Sequence, residues 1–442
     1  MNDKLYWNEE IETISKKELI VLEVAAIKKQ LTYVYEKSLF YREKFDSAGV
    51  RPADFRQKDD LGRFPLTTKD ELRRTQERVG RLGGHQCADM KDIIRIQGTS
   101  GTTGRPLLIG LTRNDVNLWN ELFARHAWTG GLRPEDIMIN PANFTLFVGG
   151  LTECSGAESM GITVVPAPLV STGMEKFMNL ILDIKPTILF STPSATHFLA
   201  KVVRDNLNMA PSDLGFKKGF LAGEALSEEE RREIESVWGI TARNFYGLAD
   251  VGADIAAECG QSEGLHFCAQ GALVPELIDP ETLEPVPMEQ GAEGEMVFTT
   301  INREATPVIR YRVRDMVKVY TGKCPCGRTG FRFHVIGRSD DMIKVKGINV
   351  FPAAVKGVIQ SICPDSEMRI VLPHKGPSFG DNITIKVEQA GGASPEQLEE
   401  IGDRIRTAVR KKLDFTPVIQ WVPPNTFEKS QYKVDYFERA YE

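Results

Sequence analysis

Between about residues 93 and 240 short β-rich runs alternate with amphipathic stretches, and this alternation limits the fold more than any other feature of the 442 residues. The runs at 93–96, 107–111, 137–139, 163–165 and 187–190 read as strands. Between them, 113–129, 172–184, 193–205 and 227–237 place apolar residues at helical spacing. Strands that alternate with helices favour βαβ units and a parallel sheet, because a parallel neighbour can be reached only by a crossover. The expected class is therefore α/β.

The flanking segments differ in character. Residues 8–48 read as helical, with Ile11, Ile14, Leu19, Leu22, Val24 and Ile27 recurring near helical spacing. From 271 to 335 the chain is richer in Pro and Gly, and the runs 294–299 and 316–320 suggest antiparallel strands in a smaller β-rich subdomain. A charged segment, G-R-S-D-D-M-I-K-V-K-G at 337–347, reads as a hinge centred on Asp340. Beyond it, strand candidates at 368–372 and 382–388 and a helix at 395–413 suit a small α+β domain. The expected division is a large domain, 1–338, followed by a small one, 339–442.

With 55 Lys and Arg against 61 Asp and Glu, the net charge is −6. Nothing in this balance calls for a nucleic-acid partner or an anionic membrane surface, both of which need clustered cations. No apolar run reaches the ~18 residues of a membrane span, and the first residues lack the apolar core of a signal peptide. A cytoplasmic location is the expectation. Seven cysteines in such a chain argue against a disulfide framework and leave metal binding or free thiols. Cys324 and Cys326 flank Pro325 on a Gly-rich turn, while Cys259 and His266 lie well upstream. Those four groups suit tetrahedral Zn²⁺ in a closed structural site, with Cys268 as a competing ligand. Cys87, Cys154 and Cys363 carry no functional reading.

Chemistry is concentrated in residues 98–106, G-T-S-G-T-T-G-R-P, between two strand candidates. Glycines there allow a tight turn that aims successive N–H groups at an anion, and Ser100, Thr102 and Thr103 add hydroxyl donors. The loop suits a polyphosphate but lacks the Gly-Lys-Ser/Thr of a P-loop. Further along stand F-Y-G-L-A-D at 245–250, R-Y-R-V-R-D at 310–315, the 337–347 segment and a Lys near the C-terminus. In order and spacing these motifs resemble the adenylate-forming superfamily. F-P-L-T-T-K at 64–69, L-F-V-G-G-L at 146–151 and D-D-M-I-K-V-K-G-I-N-V-F-P at 340–352 resemble its phenylacetate-CoA ligase branch.

The resemblance implies a large adenylate-forming domain and a mobile C-terminal domain that carries a catalytic Lys. Thr99, Ser100, Gly101, Thr102, Thr103 and Gly104 would bind the β- and γ-phosphates of ATP. Asp315 would hold the ribose hydroxyls, against the alternative of a buried salt bridge, and Arg338 would orient the nucleotide. Gly223 and Glu224 would lie along the adenine, with Tyr246 and Gly247 on the AMP side. Asp250 stands where the family usually has a Glu that coordinates Mg²⁺; a helix-start acid is the alternative. Lys429 aligns as the catalytic Lys, although Glu428 replaces the family's usual preceding Gly and Lys433 is a rival. Phe144, Phe147 and Tyr246 would form an aromatic slot for a flat acid, or serve as ordinary core. Members of the branch look to share a similar Cys…His…Cys-x-Cys set. The implied activity is ATP-dependent conversion of an aryl or arylacetic acid to acyl-AMP, then transfer to CoA. Transfer to an amine, hydroxyl or carrier-protein thiol, or a silent nucleotide-binding homologue, are the alternatives. A homodimer is the family-level expectation.

Overall fold

The computed structural model describes residues 4–99, 106–345, 348–364, 366–374, 376, 378–380, 383–389, 393–427 and 436–441. The chain forms two compact units, one of residues 1–313 and 318–334 and the other of 314–317 and 335–442.

In the first unit, parallel strands run side by side in the order Thr163–Pro166, Ile137–Asn140, Ile188–Ser191, Lys218–Ala222, Thr241–Tyr246. Successive residues of a strand face opposite sides of the sheet. Met138, Ile188 and Phe220 accordingly pack with Phe123 and Ala127 of helix Arg113–Thr129 and Ala157 of helix Leu151–Ser159. Their neighbours Ile139, Leu189 and Leu221 join Phe177, Leu199, Val203, Ile234 and Trp238 from helices Met174–Ile184, Pro193–Leu207 and Glu228–Trp238. Helices thus cover both faces, as an α/β fold requires. Strand Ile137–Asn140 has its next-in-sequence neighbour on one side and Ile188–Ser191 on the other. A topological switch point opens at the carboxyl ends of these two strands, where ligands of open α/β sheets bind.

The strand runs read from the sequence are present, but Ile93–Gly98 and Leu108–Thr112 form an antiparallel pair apart from this sheet. The connection between them is shorter than the dozen or so residues a parallel crossover needs. The parallel reading of the first two strands is corrected accordingly. Near the N-terminus the helical segment breaks into Glu9–Glu12, Lys16–Lys37 and Leu39–Ser47. The buried stripe of the long helix is Glu23, Ile27, Gln30, Leu31 and Val34, whereas Leu22 is 37% exposed. Its second half is the part that meets the core, where the Gln30 amide donates to the Arg303 carbonyl at 3.0 Å.

The second unit is built on a sheet ordered Val418–Val422, Thr384–Glu388, Met368–Leu372, Phe437–Arg439. Helices Pro352–Gln360 and Pro395–Leu413 pack Val355, Ile359, Ile405 and Val409 against Ile370 and Ile385. This is the expected small α+β fold. Among the described residues no helix is long and apolar enough to cross a membrane.

Candidate active site

The carboxyl ends of the parallel strands carry the first group of candidate residues. Strand Lys218–Ala222 runs directly into Gly223, whose φ of +82° suits glycine. Glu224 follows, exposed, and its carboxylate accepts from the Ser194 N–H at 3.0 Å and the Ser194 hydroxyl at 2.6 Å. The start of helix Pro193–Leu207 is thereby tied to the turn after the neighbouring strand.

Strand Thr241–Tyr246 ends in a tight turn. The Leu248 carbonyl accepts from Val251, Gly252 and Ala253 at 3.0–3.1 Å, and a Cβ on Gly247 would fall 1.5 Å from the Ala253 carbonyl oxygen. Glycine is the residue this turn admits at 247. The winding buries Asp250 to 9% exposure, with Oδ2 3.4 Å from the Lys69 ammonium and Oδ1 without a hydrogen-bond partner among the described residues. Burial, and then the Asp250 carboxylate beside it, push the Tyr311 phenol well above its ordinary pKa. Tyr246 packs edge-on against Phe333, ring centres 5.4 Å apart.

Of the phosphate-loop candidates, Thr99 is buried at the loop's root, where its N–H donates to the Leu107 carbonyl and its hydroxyl accepts from the Leu107 N–H. Ser100, Gly101, Thr102, Thr103 and Gly104 lie outside the described residues. The adjacent Gly98 N–H donates to Leu146 O at 2.6 Å, linking the loop's stem to the 141–150 segment. Phe144 and Phe147 of that segment are 41% and 37% exposed, so they are not core residues.

In the second unit, Asp315 is 6% exposed and accepts from Arg338 NH1 at 2.9 Å. Arg338 also grips Asp340 with a two-pronged pair, at 2.9 and 3.0 Å. Lys429 and its rival Lys433 lie outside the described residues. The chain leading to them is anchored at Phe427, whose N–H donates to the buried Glu388 carboxylate at 2.8 Å and whose ring lies under Arg369.

Cys259, His266, Cys324 and Cys326 converge, with their ligand atoms all within 4.8 Å of one another. Cys259 Sγ is 3.6 Å from Cys324 Sγ, and Cys326 Sγ is 3.4 Å from His266 Nε2. Tetrahedral Zn²⁺ with Zn–S of about 2.3 Å and Zn–N of about 2.0 Å spaces its donors roughly 3.5–3.8 Å apart, so the set fits that ion. His266 Nδ1 faces the Gly330 carbonyl at 3.2 Å, which leaves Nε2 as the ligand nitrogen. Gly327, at φ +83°, closes the Cys-Pro-Cys turn by donating to the Cys324 carbonyl. Cys268 is buried elsewhere, its thiol against the His266 carbonyl and the Thr129 hydroxyl, and the competing-ligand reading is set aside. No disulfide joins the cysteines.

The sequence gives Lys69 and Tyr311 no role, although they lie in the F-P-L-T-T-K and R-Y-R-V-R-D segments. Ser191 had no such signal. It ends its strand at the switch point with a buried hydroxyl that has no partner among the described residues.

Comparison with known proteins identifies the family. Residues 13–302 match the AMP-binding enzymes, and residues 347–437 match the AMP-binding enzyme C-terminal domain. The phenylacetate-coenzyme A ligase of Thermus thermophilus is 35% identical, over 97% of each chain. That of Escherichia coli is 33% identical over 96% of this chain and 95% of its own. A crystal structure of 2-hydroxyisobutyryl-CoA ligase in the postadenylation state, in complex with 2-HIB-AMP, superposes with a TM-score of 0.88 at 26% identity, covering 99% of this chain and 93% of that one. The chain belongs to the AMP-binding enzymes, in the branch of the phenylacetate-coenzyme A ligases.

Proposed function

We propose that this protein activates an aryl or arylacetic acid with ATP, releasing pyrophosphate, and passes the acyl group from acyl-AMP to the thiol of CoA. The observation that carries this reading is the convergence of Gly223, Glu224, Gly247 and Asp250 on the carboxyl edge of the parallel sheet, in a chain that aligns along almost its whole length with ligases of that activity. Strand ends of this kind receive a nucleotide, and the 98–106 loop supplies N–H and hydroxyl donors for its phosphates.

In this reading Thr99 roots the phosphate loop, Asp315 accepts from the ribose hydroxyls and Arg338 fixes the Asp315 carboxylate. Asp250 is a buried hard-oxygen ligand at the nucleotide edge of the sheet and would hold Mg²⁺ against the phosphates. Lys429 stabilises the charge that develops at the α-phosphate while the carboxylate attacks. Phe144, Phe147 and Tyr246 supply flat apolar surface for the acid. The Cys259, His266, Cys324 and Cys326 set would hold Zn²⁺, which braces the fold and takes no part in the reaction. The large domain would span 1–338 and the small one 339–442, turning about Asp340 between the half-reactions so that water is kept from the mixed anhydride. Free thiols and the use of ATP and CoA suit the cytoplasm, and a homodimer is the family-level expectation.

A second reading concerns the acid alone: an aliphatic hydroxy acid, the class named for the structural neighbour. Acid-dependent exchange of labelled pyrophosphate into ATP, across benzoates, arylacetates, hydroxy acids and short fatty acids, separates the two. Exchange confined to aryl acids, followed by CoA thioester formation, supports the proposal. Exchange with hydroxy acids moves the assignment to the second reading; activation with no thioester at saturating CoA sinks the ligase claim while leaving adenylation standing.

A further inference from the structure

Three side chains that the activation chemistry does not use meet inside the first unit. His126 comes from helix Arg113–Thr129, Glu153 from the first turn of helix Leu151–Ser159, and Asp254 from the end of the turn that carries Gly247 and Asp250. They are 1%, 6% and 4% exposed, and their ligand atoms lie within 4.8 Å of one another. His126 Nδ1 is 3.3 Å from the Leu122 carbonyl, which can only accept, so Nδ1 carries the ring proton. Nε2 therefore presents a lone pair to Asp254 Oδ1 at 3.3 Å.

Three acceptors thus face one another in an apolar surround, with the imidazole packed against Phe123, Phe220 and Phe245 at ring-centre distances of 5.1, 5.3 and 5.1 Å. Carboxylates are costly in such a place unless paired. Shared protons could bridge the imidazole to Asp254 and one carboxyl to the other. Such a proton is one way to satisfy Glu153 Oε2 and Asp254 Oδ2, neither of which meets a donor among the described residues; a cation held by both carboxylates is the other.

We propose that His126 Nε2 and the carboxylates of Glu153 and Asp254 bind a divalent transition-metal cation, distinct from the ion held by the cysteine set. Donors at about 2.0–2.2 Å from one ion lie roughly 3–3.5 Å apart, which matches the separation of Nε2 from Oδ1. Two carboxylates neutralise the ion's charge, and the two orphaned oxygens become chelating partners. Imidazole with carboxylates suits Zn²⁺, Mn²⁺ or Fe²⁺. The backbone carbonyl on the far side of the ring is the outer partner that metal-bound histidines usually have. Such an ion cross-links the helix that follows the 141–150 segment to the turn that bears Asp250. It fixes the acid-binding and nucleotide-binding elements relative to one another without touching the reactants.

Metal content per folded chain, measured by mass spectrometry after equilibration with Zn²⁺, Mn²⁺ or Fe²⁺ and gel filtration, tests this. Wild type should hold two equivalents, C259S/C324S one, and E153Q/D254N the other one. Cobalt substitution separates the two sites by spectrum: thiolate-to-cobalt charge transfer should persist in E153Q/D254N and vanish in C259S/C324S. The proposal fails if the wild-type chain takes up no metal beyond what C259S/C324S removes, a comparison that does not need the carboxylate variant to fold. It fails equally if folded E153Q/D254N keeps the wild-type metal content.

Discussion

Replacing Asp315 by Asn separates a nucleotide-binding role from a merely structural one. The side chains are nearly isosteric, and the amide oxygen can still accept from Arg338 NH1, now at 2.9 Å from Oδ1. Arg338 also retains its two-pronged pair with Asp340. The fold should therefore lose little, within about 1 kcal/mol, because a charge-assisted bond becomes a neutral one without orphaning the cation. The nucleotide loses more. A carboxylate accepts from both ribose hydroxyls, whereas the amide accepts from one and presents N–H to the other. One charge-assisted bond is worth roughly 1.5–3 kcal/mol, and at about 1.4 kcal/mol per decade this weakens ATP binding roughly 10- to 100-fold. Calorimetric titration of wild type and D315N with ATP and with 2′,3′-dideoxy-ATP checks it: the deficit should appear with ATP and disappear with the dideoxy nucleotide. An equal deficit with both nucleotides, or none with ATP, would refute the ribose assignment and leave Asp315 as the anchor of Arg338.

Other expectations follow from the same structure. C326S should lose one equivalent of zinc and melt several degrees lower, because a thousandfold weaker hold on the ion costs about 4 kcal/mol of linkage; metal analysis and calorimetry read this directly. K429A should cut acid-dependent pyrophosphate exchange about 100-fold or more while leaving thioester formation from preformed acyl-AMP near wild type, and K433A should stay within a few-fold; the reverse pattern moves the role to Lys433. D250A should lower exchange by about 10²–10³-fold, whereas D250E should retain most of it, measured across a Mg²⁺ titration. Burial holds the His85 imidazole down at about 4, below its usual value, so the native state resists protonation. Its stabilising contribution is full above about pH 6.5 and falls as pH drops towards 4, by about 2 kcal/mol between pH 8 and 5. Denaturant melts of H85L at those two pH values should show a pH dependence smaller by that amount.

Sequence patterns carried well wherever local rules decide. Helix Arg113–Thr129 begins at Thr112, whose hydroxyl and the Asp115 side chain form a capping box, and both bounds could be read from the residues. Helix Pro395–Leu413 is equally legible, with Ser394 as its cap. Strands Lys218–Ala222 and Thr241–Tyr246 are marked in the sequence only by Gly223 and Glu224 and by the 245–250 motif at their ends. Lys218, Gly219, Arg243 and Asn244 break their apolar runs, and the sheet's neighbours, which are distant in sequence, decide the outcome. The cysteine set could be inferred from residue types because few other arrangements explain Cys-x-Cys beside a turn. The His126, Glu153 and Asp254 group could not, because each lies alone in an ordinary segment and only the packing of two helices on one turn brings them together. The same holds for Lys69, which reaches Asp250 across 181 positions of sequence.

The shorter carboxylate at 250 is intelligible once that neighbour is known. A turn wound as tightly as Gly247–Asp254 fixes the backbone beneath Asp250, and Asp has fewer torsions to immobilise than Glu. The lost reach can be made up by water, which Mg²⁺ retains readily in its octahedral shell. At 9% exposure the carboxylate is costly unless it is paired, and Lys69, 3.4 Å away, pairs with it. Two unit charges 4 Å apart repel by about 4 kcal/mol at an effective dielectric constant near 20, and a dication doubles that. Lys69 would not keep its place if a divalent ion came to share the carboxylate without phosphate charge to offset it. If Asp250 holds Mg²⁺ as proposed, nucleotide and cation would arrive together and Lys69 would turn from the carboxylate toward the polyphosphate, so that Asp250 would not be left as an uncompensated buried charge.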